Sequence, residues 1–224
     1  MKINRAIGWA LVLCTVLSVG FFVTPDLAEA NTKVTAHYYN GNTRIKYYSI
    51  AGSRYKKANA EMKKYAKAAY ATNQQALSRY HEDRTYDPEV SPDTYYFKIS
   101  PKVKYSSGRK ISILYTEEWW LNGPHPDTNY KSFNLYRGKT ITLAKAFKTK
   151  AKYSSANAKA QKYWRLNWSQ QGLYEMPDSS ETGLAKHEYY WTKKGMTVIY
   201  EAYALGSYAD GERRYSVPKS YLKY

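Results

Sequence analysis

"EEWWLNGPHPDTNYKSFNLYRGKTITL", residues 117–143, sets a histidine between two prolines and then runs into alternating strand-like sequence. Arg137-Gly138 separates the runs 129–136 and 139–143, where glycine supplies the positive φ angle of a tight hairpin turn. The stretch therefore predicts antiparallel pairing, and its neighbours repeat the pattern. Upstream, 94–106 and 109–121 flank Ser107-Gly108, and 34–39 and 45–50 flank Asn40-Gly41-Asn42. Downstream, two strands flank Lys194-Gly195, and a last strand over 212–217 follows Asp210-Gly211 and ends at Pro218.

Two segments break this alternation. From Ser53, a candidate N-cap, apolar residues recur at three- and four-residue steps: Tyr55, Ala58, Met62, Tyr65, Ala69, Ala76 and Tyr80. Lys56, Lys63 and Lys67 lie off that face, as an amphipathic helix requires. The pattern fits badly near Asn73, and the helix is expected to stop near His81. A second helix is expected over 155–171, carrying Tyr163, Trp164 and Trp168. Helices interrupting hairpins predict an α+β fold, an antiparallel sheet built from hairpins and packed with two main helices. No internal repeat or long linker divides residues 31–224, which are expected to form a single domain; any two lobes would meet near residue 90.

Residues 1–30 read as a signal peptide. Lys2 and Arg5 precede an apolar run from Ala6 to Val23, Thr24-Pro25 breaks it, and Ala28-Glu29-Ala30 has the small-x-small form of a cleavage site. The run is about long enough to span a bilayer if left uncleaved, which is the route to membrane association. Cys14, the only cysteine, follows Leu13, which does not suit a lipobox. Cleavage removes it, excluding thiol catalysis and cysteine-ligated zinc in the mature chain. Export without disulfides suggests a protein secreted by, or associated with the wall of, a Gram-positive bacterium. The roughly 190 remaining residues suffice for one core.

Charge is the strongest compositional signal. Lysine and arginine number 35 against 18 acidic residues, a net +17. Such an excess repels itself and attracts anions. It is also grouped: residues 139–174 hold eight basic residues and no acid, and residues 54–80 hold seven against Glu61. Grouping favours a polyanionic partner over mere solubility. Outside the cell that partner is a wall polymer, and no nucleic acid is expected. The 26 tyrosines suit strands and half-buried surfaces, and rings beside cations also suit sugars.

Residues suited to catalysis are sparse. His37, His81, His125 and His187 form no HExxH or close histidine pair. His125 and Asp127 give a weak His-x-Asp pair, and neither a metal nor another cofactor is expected. No GxSxG or phosphate loop occurs. Glu117 and Glu118 are adjacent on a strand and point to opposite faces, so they cannot flank one glycosidic bond. The chain is therefore not expected to be an enzyme. Loops are where binding groups usually sit. Trp119 and Trp120 border "NGPHP", and Tyr203 and Tyr208 border "ALGSYADG". These four aromatics, with Lys145, Lys148, Lys150, Lys152, Lys159, Lys162 and Arg165, are the candidate ligand-binding residues. His125, Gly195, Gly206 and Gly211 are assigned to turn structure.

Two separated motifs carry a family resemblance. "NGPHPDTNYKSFNLYRGKTITLAKAF" resembles a pattern of Gly-x-His followed by Phe-Asn and Gly-Lys-x-hydrophobic-Thr-Leu. "WTKKGMTVIYEAYALGSYADGERRYSVPKSYL" resembles one in which Lys-Gly opens a strand before a Tyr-Ala-x-Gly loop. Both mark the bacterial domain-of-unknown-function family 3298, over about residues 117–222. The family occurs in the extracellular part of lysozyme-sensing anti-sigma-V factors and beside peptidoglycan deacetylase domains. The resemblance implies an α+β fold and a turn-organising role for His125. Pro124 and Pro126 depart from the family's small residues and remove backbone donors.

The functional expectation is an exported, non-enzymatic module that binds an anionic wall polymer, teichoic acid or peptidoglycan. The resemblance supplies two alternatives, a lysozyme-binding or lysozyme-inhibiting domain, and a peptidoglycan hydrolase or deacetylase. The net charge opposes the first, because strongly basic lysozymes are repelled beyond contact range. An acidic patch at Asp83, Asp87, Glu89 and Asp93 is the local exception.

Overall fold

The turns form where glycine, asparagine and arginine accept left-handed backbone angles. The computed structural model describes residues 32–173, 176–178 and 180–224, so the signal-peptide expectation lies outside the described residues. Arg137 (φ 50°) and Gly138 (φ 82°) make the turn that opened the sequence argument. β1 (Val34–Tyr38) pairs with β2 (Lys46–Ile50). β3 (Tyr95–Ser107), β4 (Lys110–Leu121), β5 (Asp127–Tyr136) and β6 (Lys139–Thr140) form a second sheet in that order. β7 (Glu188–Thr192), β8 (Gly195–Tyr200) and β9 (Arg213–Pro218) form a third. All strand neighbours are antiparallel. The fold is α+β, with its hairpins in three sheets rather than one.

The first helix, α1 (Lys56–Tyr86), buries Ala58, Met62, Ala66, Ala69, Asn73, Ala76 and Tyr80 along one stripe. Asn73 is the misfit in that stripe, and its position has a physical reason. Its side-chain oxygen accepts the Phe97 backbone N–H at 3.1 Å, tying the helix to β3. Ser53 does not cap the helix; it opens a short 3-10 turn, and Tyr55 occupies the cap position without a side-chain bond. Asn59 instead pins the end of β2, bonding both the Ile50 N–H (2.9 Å) and its carbonyl (2.8 Å). The helix continues five residues past His81, and Arg79 pairs with Asp83 at 3.0 Å on its last turns.

The later helices also depart from expectation. β6 stops at Thr140, short of the strand end expected at Leu143, and Leu143 instead opens α2 (Leu143–Ala146), since Leu-Ala-Lys-Ala is a run of good helix formers. α3 (Lys150–Leu166) begins five residues early because the Thr149 hydroxyl accepts the Lys152 N–H at 3.1 Å.

Among the described residues two main cores result, dividing between β5 and α2 rather than near residue 90, with a small third cluster of Leu114, Tyr190 and Ile199. In one, Met62 and Ala66 of α1 pack on Ile99, Ile111, Ile113 and Leu135 of the four-stranded sheet. In the other, Ala156, Ala160 and Trp164 of α3 pack on Trp191, Val198 and Tyr200. β4 is buried on both faces from Ile111 to Tyr115, so its even-numbered residues meet β7 instead of water. There Ser112 donates to the Asn134 side-chain oxygen (2.5 Å) and accepts the Trp191 N–H (2.8 Å). The Asn134 amide donates to the Tyr189 carbonyl (2.6 Å) and the Ser132 hydroxyl (2.8 Å). Glu188 accepts from Lys131 (2.9 Å), the Ser132 N–H (3.1 Å) and the Ser132 hydroxyl. These polar side chains cover backbone groups on the outer edge of β7 and fasten the two cores together.

Candidate ligand-binding surfaces

The two motif loops meet in space. His125 stacks on Tyr208, with ring centroids 3.6 Å apart and planes 10° off parallel. The Tyr203 hydroxyl lies 3.2 Å from His125 Nε2, and the Tyr208 hydroxyl donates to the Pro126 carbonyl at 3.0 Å. The carboxylate of Asp210 shapes the second loop by accepting the Ser207 N–H (2.7 Å) and hydroxyl (3.0 Å). Gly206 lies against that carboxylate, leaving no room for a Cβ, and Gly211 turns the chain into β9. Tyr203 is 58% exposed yet holds φ 71°, an uncommon angle for a bulky residue. Such strain is more frequent at functional sites than elsewhere.

The tryptophans separate. Trp120 donates to the Gly123 carbonyl (2.7 Å) and meets Tyr96 edge-on at 6.4 Å. The Tyr96 hydroxyl donates to Glu118 at 2.5 Å; burial first, and then that bond, push its pKa up to about 12. Trp119 faces the other way and stacks on Phe97 at 6.4 Å. With Leu121, Ala76 and Gln75 it borders an apolar groove of about 450 Å³ against α1. Trp119 therefore lies apart from the His125 cluster. The adjacent glutamates diverge as their strand position requires: Glu117 accepts from Tyr65 on the α1 side, and Glu118 from Tyr96 on the other.

Each of the remaining histidines has a partner: His37 is half-buried, His81 exposed and His187 buried. His37 bonds Ser49 at 2.8 Å, and His81 packs on Tyr80. His187 is buried, with Nδ1 3.1 Å from Glu201 and Nε2 2.8 Å from the Glu181 carbonyl. That imidazole–carboxylate pair had no sequence signal, because fourteen residues separate its members. Among the described residues, no group of three or more His, Cys, Asp or Glu is placed to hold a metal ion.

The seven candidate cations on α2, α3 and the connecting turn are all exposed. Lys145, Lys148 and Lys150 line a hollow of about 430 Å³ together with Lys223 and the rings of Phe147, Tyr153 and Tyr224. The 221–224 tail closes this hollow by pairing with the turn after α2: Lys148 N–H bonds the Tyr221 carbonyl (3.0 Å), and Lys223 N–H the Ala146 carbonyl (2.8 Å). Lys152 and Lys159 reach over the Tyr221 ring at 5.2 and 5.3 Å. Lys159 also donates to the Tyr221 hydroxyl at 2.6 Å, which draws that phenol below its usual pKa. Lys162 and Arg165 border a separate hollow with Leu166 and Met176. The sequence reading does not single out Tyr221, Lys223 and Tyr224; the lysine–aromatic alternation in "KSYLKY" is the available signal.

No family model matches the sequence, and no curated protein is similar to it. Likeness is found among solved structures. The crystal structure of a DUF3298 family member from Bacteroides fragilis superposes with a TM-score of 0.56 at 15% identity, covering 86% of this chain and 92% of that one. A DUF3298 family protein from Pseudomonas aeruginosa PAO1 gives a TM-score of 0.48 at 13% identity, covering 84% and 89%. The comparison rests on the first of these. At such identity the likeness is one of fold, and this chain is DUF3298-like in its fold, as its two motifs anticipated.

Proposed function

We propose that the protein is an exported, non-enzymatic module that binds an anionic cell-wall polymer, teichoic acid or peptidoglycan. The observation that carries this reading is the hollow where four lysines and three aromatic rings share one lining. Cations attract the backbone charge, and ring faces pack on polyol or sugar carbons. His125 is held by two tyrosines and a carbonyl, and both ring nitrogens of His187 have partners inside the fold. Neither histidine is placed as a free proton acceptor for a substrate. The test is cosedimentation with purified wall carrying its teichoic acid. The wild type should pellet and Lys148→Glu/Lys150→Glu should stay in solution; equal pelleting of both would overturn the reading.

A second reading, lysozyme binding, draws on the meeting of the Trp120 and Tyr203–Asp210 loops at His125. Calorimetry with a basic lysozyme tests it: heat that disappears in Tyr203→Ala/Tyr208→Ala supports this reading, and no heat removes it.

A further inference from the structure

The sequence keeps its two basic stretches, 54–80 and 139–174, separated by 58 residues, but the fold brings their ends together. The Arg137-Gly138 turn rests on Arg54, in the short 3-10 turn that leads into α1. Gly138, at φ 82°, approaches the Arg54 carbonyl so closely that a Cβ would collide with it. One turn further along, Thr140 donates to Glu61 at 3.1 Å, which fixes the face of α1 turned toward β6. Residues three or four positions apart share a helix face, so exposed Lys57 and Lys64 flank Glu61 on that same strip.

The other end of the turn leads to the hollow. Arg137 reaches over the Tyr136 ring at 5.5 Å, and Tyr136 packs on Tyr224 with centroids 4.4 Å apart. Tyr224 lines the hollow, and Lys223 lies 5.5 Å from its ring. Cations thus recur from Lys64 and Lys57 through Arg54 and Arg137 to Lys223 and Lys148. The carboxylate that borders this path, Glu61, is already engaged by Thr140.

We propose that this path is one binding track, occupied lengthwise by a single polyol-phosphate chain of the teichoic acid type. This rests on the reading given above and adds the occupant and its course. A phosphodiester chain carries its charge in the backbone at every repeat, and therefore presents charge continuously along such a track. A peptidoglycan strand carries charge on its peptide stems instead. The track's cations outside the two arginines are lysines, which engage phosphate as point charges without needing a carboxylate's paired geometry. Once the hollow holds one end, the α1 strip meets the rest of the same chain at high effective concentration.

The track is tested with poly(glycerol phosphate) oligomers of graded length, using calorimetry on the full chain at low salt. For the wild type, affinity should rise by at least about tenfold between a dimer and a chain long enough to reach α1, within the gain expected for linked sites. Lys57→Glu/Lys64→Glu should abolish that gain and leave dimer affinity unchanged. The neutral pair Lys57→Gln/Lys64→Gln should fall between, with unchanged melting temperature showing that the fold is intact. Long-chain binding that ignores both α1 pairs would overturn the track while leaving the hollow in place. No binding of any oligomer would overturn both. Tighter binding of single-stranded DNA or of peptidoglycan fragments at equal salt would overturn the occupant.

Discussion

Asn134 offers a sharp test of how the two halves are joined. It is 2% exposed and connects the Ser112 hydroxyl, the Ser132 hydroxyl and the Tyr189 carbonyl. Asn134→Ala removes three hydrogen bonds together. Ser132 keeps Glu188 as a partner, but the Ser112 proton and the Tyr189 carbonyl are left buried without Asn134. Each orphaned buried group costs about 1–3 kcal/mol, so the two together give an expected loss of about 2–6 kcal/mol. For a chain of this size that lowers the melting temperature by roughly 4–24 °C. Urea unfolding followed by tryptophan fluorescence is the assay, since Trp164 and Trp191 report one core and Trp119 packs on the other. The variant should lose stability, and its α3 core should unfold at lower urea than its α1 core. A loss below about 1 kcal/mol with a single unchanged transition would refute the joint.

Other consequences follow from the geometry. Gly138→Ala places a Cβ against the Arg54 backbone at a positive φ and should destabilise by about 1–3 kcal/mol in thermal melts. Tyr203→Gly relieves the left-handed strain that Tyr203→Ala retains. The glycine variant should therefore be the more stable by about 1 kcal/mol in parallel urea titrations. Burial raises the pKa of Tyr65, Tyr115, Tyr189 and Tyr200 above the usual value of 10.0. Above that pH the unfolded chain releases these protons and the folded chain keeps them. Stability is thus full below pH 10 and falls as pH rises further, by up to about 1.4 kcal/mol per unit for each phenol. Tyrosinate absorbance should show an early reversible phase from exposed rings and a later one that coincides with unfolding.

Much of this architecture was legible in the chain because hairpins and helix faces are local. Gly108, Gly138 and Gly195 punctuate three of the hairpins, and the stripe from Ala58 to Tyr80 declares α1. What could not be read was long-range satisfaction of polar groups. Asn73 looked like a flaw until Phe97 supplied its partner, and Thr149 capped a helix that pattern alone began later. The candidate surfaces divide in the same way. The lysines of 145–165 were plain from composition, and the aromatics of the two motif loops from their sequence, whereas the stacking of His125 on Tyr208 was not. The contribution of the 221–224 tail and the approach of Gly138 to Arg54 depend on tertiary contacts that no spacing encodes.

The central claim is that exposed, clustered lysines hold a polymeric anion, and its most direct test is the salt dependence of that binding. With about four lysines of the hollow engaged, the slope of log affinity against log salt should be roughly −3, using the single-strand coefficient for phosphodiesters. Affinity for a poly(glycerol phosphate) chain that fills the hollow without reaching α1 should then fall roughly sixtyfold between 50 and 200 mM salt, and more steeply for a chain that also reaches α1. Lys148→Glu/Lys150→Glu should bind far more weakly and with a flatter slope. Wild-type binding that stays level across that range would contradict the account.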